Sequence, residues 1–142
     1  MLNYVTNSDT GDYIEDMAKE YDIMTVQSVT YTEFERQAAD LFDKCFARLL
    51  SKGIQYAGHE DRFGAFKKAA NGEGCIPEEI ARRYMLKHTI ALKKLLEDIE
   101  NGRDTNRSKE YLEEIIGDII CYYVLIYGML VERIECNENK KL

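Results

Sequence analysis

The chain has no tryptophan and one proline, Pro77, in 142 residues. A fold with many β-turns uses proline at its corners, so this scarcity favours long uninterrupted helices. Motif cysteines are also missing. None of Cys45, Cys75, Cys121 and Cys136 forms a C-x-x-C pair, and the two histidines, His59 and His88, do not stand at zinc spacing from them. Cys45 and Cys121 lie in apolar helical stretches and read as small core residues. With two histidines and no nucleophile motif, a Ser-His-Asp site has nothing to build on. No phosphate-binding glycine loop of the Walker or dinucleotide type is present, and no H-E-x-x-H.

Positive charge is in deficit: 19 Lys and Arg against 26 Asp and Glu give a formal charge of −7. A general grip on DNA or RNA needs a basic footprint and is not expected. A small phosphorylated ligand remains compatible, because a few local cations can hold it against the global sign. The opening residues Met1-Leu2-Asn3-Tyr4 lack the basic and apolar regions of a signal peptide. The longest apolar run, Ile115 to Val131, is interrupted by Asp118 and bounded by charges. It predicts a buried central helix rather than a membrane span, so a cytoplasmic protein with no membrane partner is expected.

Forty-five per cent hydrophobic and 32% charged residues describe an ordinary globular domain. The pattern predicts an all-α bundle of about four helices, residues 32–142, behind a short N-terminal arm, residues 1–31. Asp12 to Glu20 suits a short helix, and the β-branched stretch Ile23 to Tyr31 suits an extended segment. Thr32-Glu33-Phe34-Glu35 reads as a capping box opening the first long helix. Leu41, Phe42, Cys45, Phe46 and Leu49 continue it at helical spacing, and Gly53 is its expected stop. After a loop, Asp61 is a cap for a short helix over 62–70, ended by Asn71-Gly72. Pro77 opens a third helix, with the stripe Ile80, Tyr84, His88, Leu92, Leu95 and Ile99 and a stop at Asn101-Gly102. Ser108 caps a fourth helix running to about Glu135.

Three groups of residues suit chemistry. Glu114 and Asp118 are one turn apart on the fourth helix, with Tyr122 one turn further on the same face. Asp118 among four isoleucines is costly unless paired, hydrogen-bonded or bound to a cation. Two such carboxylates are a way to present oxygen ligands to Mg²⁺. A buried ion pair with Lys or Arg of the third helix, or with His88, answers the same demand. Lys87-His88 forms the second group: His88 is either a satisfied core residue or faces an anionic ligand with Lys87. The third runs from Lys52 through Lys67, with Lys68 next to it, and interleaves Tyr56, Phe63 and Phe66 with His59, Asp61, Arg62 and Lys67. Rings there suit stacking on a base while Lys and Arg meet phosphates. A solvated loop with the two phenylalanines plugging the bundle end is the structural alternative.

In order and spacing, Lys52-Gly53, Tyr56-Ala57, Asp61-Arg62-Phe63, Phe66-Lys67-Lys68-Ala69-Ala70, Lys87-His88 and Glu114-x-x-x-Asp118-x-x-x-Tyr122 resemble a phage-type family, over residues 32–135. That family is similar to the MazG-like all-α nucleoside triphosphate pyrophosphohydrolases. The resemblance implies a helical homo-oligomer in the cytoplasm, of the host if phage-encoded, that meets a nucleotide or nucleotide-derived small molecule. It also implies Mg²⁺ held by Glu114 and Asp118. The group's Glu-Glu-x-x-Glu and Glu-x-x-Asp signatures are not matched: the first helix offers Glu33, Glu35, Asp40 and Asp43, and Glu114 and Asp118 are spaced by four. Mg²⁺-assisted cleavage needs a fuller carboxylate set. The expectation is therefore a binder, sequestering a nucleotide signal of host defence, through Lys52, Tyr56, Asp61, Arg62, Phe66, Lys67, Lys87, His88 and Tyr122. A Mg²⁺-dependent pyrophosphohydrolase and a structural oligomerisation module are the alternatives.

Overall fold

The computed structural model describes residues 29–57, 61–103 and 106–142, with side chains described from Thr32 onward except at 56 and 57. Among these residues there are four helices and no strand: α1 (Val29–Ala57), α2 (Gly64–Glu73), α3 (Pro77–Glu100) and α4 (Lys109–Asn139). The all-α expectation holds. The expected N-terminal arm lies almost wholly outside the described residues. The chain divides into two compact units, 1–40 and 41–142. Of the first unit, only the start of α1 is among the described residues; the buried core lies in the second.

Helix ends follow local chemistry where a specific residue supplies it. Pro77 stands in the first turn of α3, where its missing N–H costs nothing, and Glu78 and Glu79 follow at the positive end of the dipole. Ser108 accepts a hydrogen bond from the Tyr111 N–H at 3.1 Å and caps α4 as expected. Gly74 and Gly102 take φ of 67°, the left-handed turn that closes α2 and follows α3. Asp61 serves the start of α2 by accepting from the Phe63 N–H at 2.9 Å.

α1 departs from expectation at both ends. It begins at Val29, so Thr32 lies inside the helix instead of capping it, and residues 29–31 are helical rather than extended. Their β-branched preference is only a few tenths of a kcal/mol per residue, which a long helix overrides. It also passes through Gly53 to Ala57. Gly53 is buried because the Arg62 side chain lies across it, and a Cβ there would come within 2.7 Å of Arg62 Nε. The glycine provides close approach, not a stop.

α3 and α4 pack along each other, and α2 packs on α3. The core is small: Ile80, Ala81, Met85 and Leu95 of α3, Ala70 of α2, Ile115, Cys121 and Met129 of α4, and Cys45 of α1. Tyr84 and Ile99, expected in the buried stripe of α3, are half exposed, because the buried face turns toward Ala81 and Met85. Phe63 plugs one end of the bundle against α4, where a Cβ at Gly128 would lie 2.8 Å from its ring. α4 is long and apolar enough to cross a membrane by length and composition alone.

α1 crosses α4 at Gly117. The Cys45 thiol points at the Gly117 carbonyl (3.7 Å) and the Cys121 thiol at the Cys45 carbonyl (3.6 Å). Both thiols are free, buried core residues as expected.

Near the other end of α4, Arg133 makes a two-pronged bond to the buried Glu78 carboxylate, with Nη2 2.9 Å from Oε2. The Arg133 hydrogen bonds hold the Glu78 carboxyl below its ordinary value of 4.5. A depressed folded value means that the ionised form is the stabilised one. This contribution is therefore present above about pH 4.5 and lost as pH falls through the lowered value. Glu78→Gln is expected to cost about 1–3 kcal/mol at neutral pH. In thermal unfolding followed across pH, the gap between variant and parent should close in acid; an unchanging gap would refute the ionic account.

Candidate functional site

The site is built around Asp118. α4 must turn one face to α1 and α3, and Asp118 stands on that face between Gly117 and Ile119. Its side chain is 16% exposed, and two partners meet it. Arg48 Nη1 of α1 lies 2.6 Å from Oδ1, and His88 Nε2 of α3 lies 3.4 Å from Oδ2. The His88 and Tyr122 rings are neighbours, with centroids 6.0 Å apart. Gly117 gives the Arg48 guanidinium room: a Cβ there would lie 3.3 Å from Nη1, a tight contact. Asp118 thus ties three helices together.

Above this knot lies a cavity of about 360 Å³, lined by Arg48, Leu49 and Lys52 of α1, Ala65 and Phe66 of α2, Arg62, Tyr84 of α3, and Asp118, Cys121, Tyr122 and Leu125 of α4. Its floor is apolar and aromatic. Phe66 and Tyr84 lie with ring centroids 6.3 Å apart, tilted by 45°. The lining carries three cations against one carboxylate in a protein of net charge −7. Arg62 is held by Gly53 beneath it and by a bond from its Nη2 to the Leu49 carbonyl (3.2 Å). Lys52 has no hydrogen bond or ion pair among the described residues.

Two shallower concavities adjoin the cavity. Toward the start of α4, Glu110, Glu113, Glu114 and Asp118 face Lys44, Ala47, Arg48 and Lys52 of α1. Lys44 Nζ lies 2.6 Å from Glu113 Oε2, and this hydrogen bond holds the Glu113 carboxyl below its ordinary pKa of 4.5. On the α3 side, Arg83, Tyr84 and Lys87 share a concavity with Tyr122. Lys87, like Lys52, has no such partner among the described residues.

The chain matches no family model, no curated protein and no solved structure. The site therefore rests on its own geometry.

Of the expected residues, Lys52, Arg62, Phe66, Asp118 and Tyr122 line one cavity, which joins the basic-aromatic segment to the Asp118 face. Glu114 and Lys87 border the adjoining concavities, and His88 supports the cavity from below through Asp118. Asp61 and Lys67 do not line it. Lys67 Nζ is 2.8 Å from Asp61 and 2.6 Å from Glu132, a network that fastens the start of α2 to α4. Its hydrogen bonds lower the Asp61 pKa and raise that of Lys67. The side chain of Tyr56, and His59 entirely, lie outside the described residues.

As a Mg²⁺ site, Glu114 and Asp118 meet a specific obstacle. One Asp118 oxygen is bonded to a guanidinium and the other faces His88 Nε2 at 3.4 Å, and Arg48 would have to release the carboxylate before a cation took its place. Among the described residues no three His, Cys, Asp or Glu side chains converge as a metal-binding group. The pairing arrives from α1 and His88 rather than from a Lys or Arg of α3.

Arg48 and Tyr84 are the polar lining residues that sequence reasoning did not place in the site, beside the apolar Leu49, Ala65, Cys121 and Leu125. Arg48 was legible in principle: it falls one turn from Cys45 on the inward phase of α1, where a cation requires a carboxylate opposite.

Cys121 borders the cavity, yet burial, then the neighbouring Cys45, push its thiol up to about 11. Such a thiol holds almost no thiolate near neutral pH and is a poor nucleophile. Native alkylation near neutral pH followed by mass spectrometry should modify exposed Cys136 first, leaving Cys45 and Cys121 untouched until the protein is denatured. Rapid native labelling of Cys121 would contradict this account of the cavity wall.

Proposed function

We propose that the protein binds a nucleotide or nucleotide-derived small molecule in the cavity between α1, α2, α3 and α4. The observation that carries this reading is the convergence of three rings, Phe66, Tyr84 and Tyr122, with Arg48, Lys52 and Arg62 around about 360 Å³. That volume lies within the range of small-ligand sites. Flat rings suit a base, and cations suit phosphate oxygens. Lys52 stands ready to meet an anion, because no described carboxylate holds it. The resemblance to MazG-like proteins supports the same ligand class.

Binding without turnover is the better-supported form of this reading. Pyrophosphate release requires carboxylates free to hold Mg²⁺ and orient water. Here Asp118 is bound to Arg48 and His88, and Glu113 to Lys44. A binder of this kind would act by sequestration in the cytoplasm, withholding a nucleotide signal from its receptor. Hydrolysis is the second reading, favoured by the four carboxylates that border the concavity next to Lys52.

One experiment separates them. Purified protein is incubated with linear and cyclic nucleotides, with and without Mg²⁺. Thermal stability is measured, and the ligand is recovered after denaturation and weighed by mass spectrometry. A ligand that raises the melting temperature and returns intact supports the binder, since binding to the native state alone adds stability. Lys52→Ala should then weaken affinity by roughly 10- to 100-fold, the worth of a charge-assisted hydrogen bond. Release of pyrophosphate, abolished by Asp118→Asn, would replace this reading with the enzyme. No shift with any nucleotide would end both.

A further inference from the structure

α4 turns Asp118, Cys121, Tyr122 and Leu125 toward the cavity, and its opposite face is bare. Along that face run Ile116, Ile120, Tyr123, Tyr127, Leu130 and Ile134, spaced four, three, four, three and four residues apart. This is the repeat of a helix seam that docks on another helix. Tyr123, Tyr127, Leu130 and Ile134 are 59%, 69%, 46% and 58% exposed, and the flanking Val124 is 46% exposed. The next seam positions outward are polar, Glu113 and Asn137, so the apolar run has defined ends about 27 Å apart.

We propose that a second copy of this chain covers this face, α4 against α4 and antiparallel, about a two-fold axis midway between Tyr123 and Tyr127. The run is its own complement in that register: Tyr123 meets Tyr127 of the partner subunit, Ile120 meets the partner's Leu130, and Ile116 meets the partner's Ile134. A parallel pair would set like helix ends side by side. The antiparallel pair sets each helix's positive end beside its partner's negative end. From Ile115 to Val131 the only charged residue is Asp118, on the opposite face and already paired, so no charge is buried in the seam. The five exposed seam and flank residues offer about 500 Å². With the more covered Ile116, Ile120, Ile126 and Val131 this comes to roughly 600–700 Å² per partner, the lower part of the range of specific interfaces. A bilayer is the less suitable occupant, because the other side of α4 is covered by α3 and carries the Asp118 pair. The inference is independent of the nucleotide reading.

Sedimentation of the full chain over a range of concentrations should show a dimer that Tyr127→Glu weakens by at least 100-fold. Circular dichroism should stay unchanged, because Tyr127 makes little of the protomer's own core. Orientation is read by copper-catalysed disulfide formation in a Cys136→Ser background. A mixture of Tyr123→Cys and Tyr127→Cys proteins should crosslink much faster than either alone. A monomer at every concentration would overturn the proposal, as would a dimer indifferent to Tyr127→Glu. Faster crosslinking by either variant alone would overturn the antiparallel arrangement, and flotation of a monomer with phosphatidylcholine vesicles would assign the face to lipid.

Discussion

A carboxylate on the inward face of an apolar helix has to be answered, and the answer to Asp118 organises this protein. Desolvating it costs several kcal/mol unless opposite charge and hydrogen bonds replace the lost water. Arg48 brings α1 to it and His88 brings α3. Gly117 exists beside it as a gap through which the guanidinium passes, and Cys45 uses the same gap to bring α1 close to α4. A uniformly apolar crossing would fix neither the axial register of α1 on α4 nor its rotation. A charged knot does both, because its partners are satisfied in one geometry.

The cavity follows from the same knot. Holding α1 against α4 at residues 45–48 and 117–118 leaves α2 to close the space above, and α2 is fastened elsewhere: by Phe63 on Gly128, by Lys67 on Glu132 and by Arg62 across Gly53. The space between these fixings is not filled by large side chains. It is rimmed by the ends of Lys and Arg and by the faces of rings, whose amphipathic character leaves both an apolar floor and a cationic edge. Guanidiniums laid over glycines recur at Gly53 and Gly117, and in each the missing Cβ converts a helix surface into a seat for a charge.

How much of this was legible depends on the range of the forces involved. The helices were readable because capping and periodicity are local: Ser108, Pro77 and the Asn101-Gly102 stop act within a few residues, and each acts where expected. Gly53 was misread because its reason is Arg62, nine residues away and across a turn. Thr32 carried a capping signal that α1 overran, since a cap is worth about 1 kcal/mol and further helix can outweigh it. Asp118 was singled out by its isoleucine neighbours. Its partner on α1 was not, because pairing across helices depends on which faces meet. Asp61 and Lys67 were drawn toward the ligand by composition, but the position of Glu132 turns that lysine away.

α4 is long and apolar enough to cross a membrane and still carries an ion pair at its centre, and the proposed second copy would account for both. A helix in a single-layer domain needs one apolar stripe; a helix that also meets a second subunit needs two, on opposite sides. Two stripes leave little circumference for charge, and composition then imitates a bilayer helix. The difference lies in phase. A lipid-facing helix has no reason to keep a four-three repeat on one side and a carboxylate on the other. Here Tyr123, Tyr127, Leu130 and Ile134 hold that repeat while Asp118, Tyr122 and Leu125 hold the cavity side. Apolar content that exceeds what the protomer buries is thus ordered content, and its order is the reason to look for a helix opposite it.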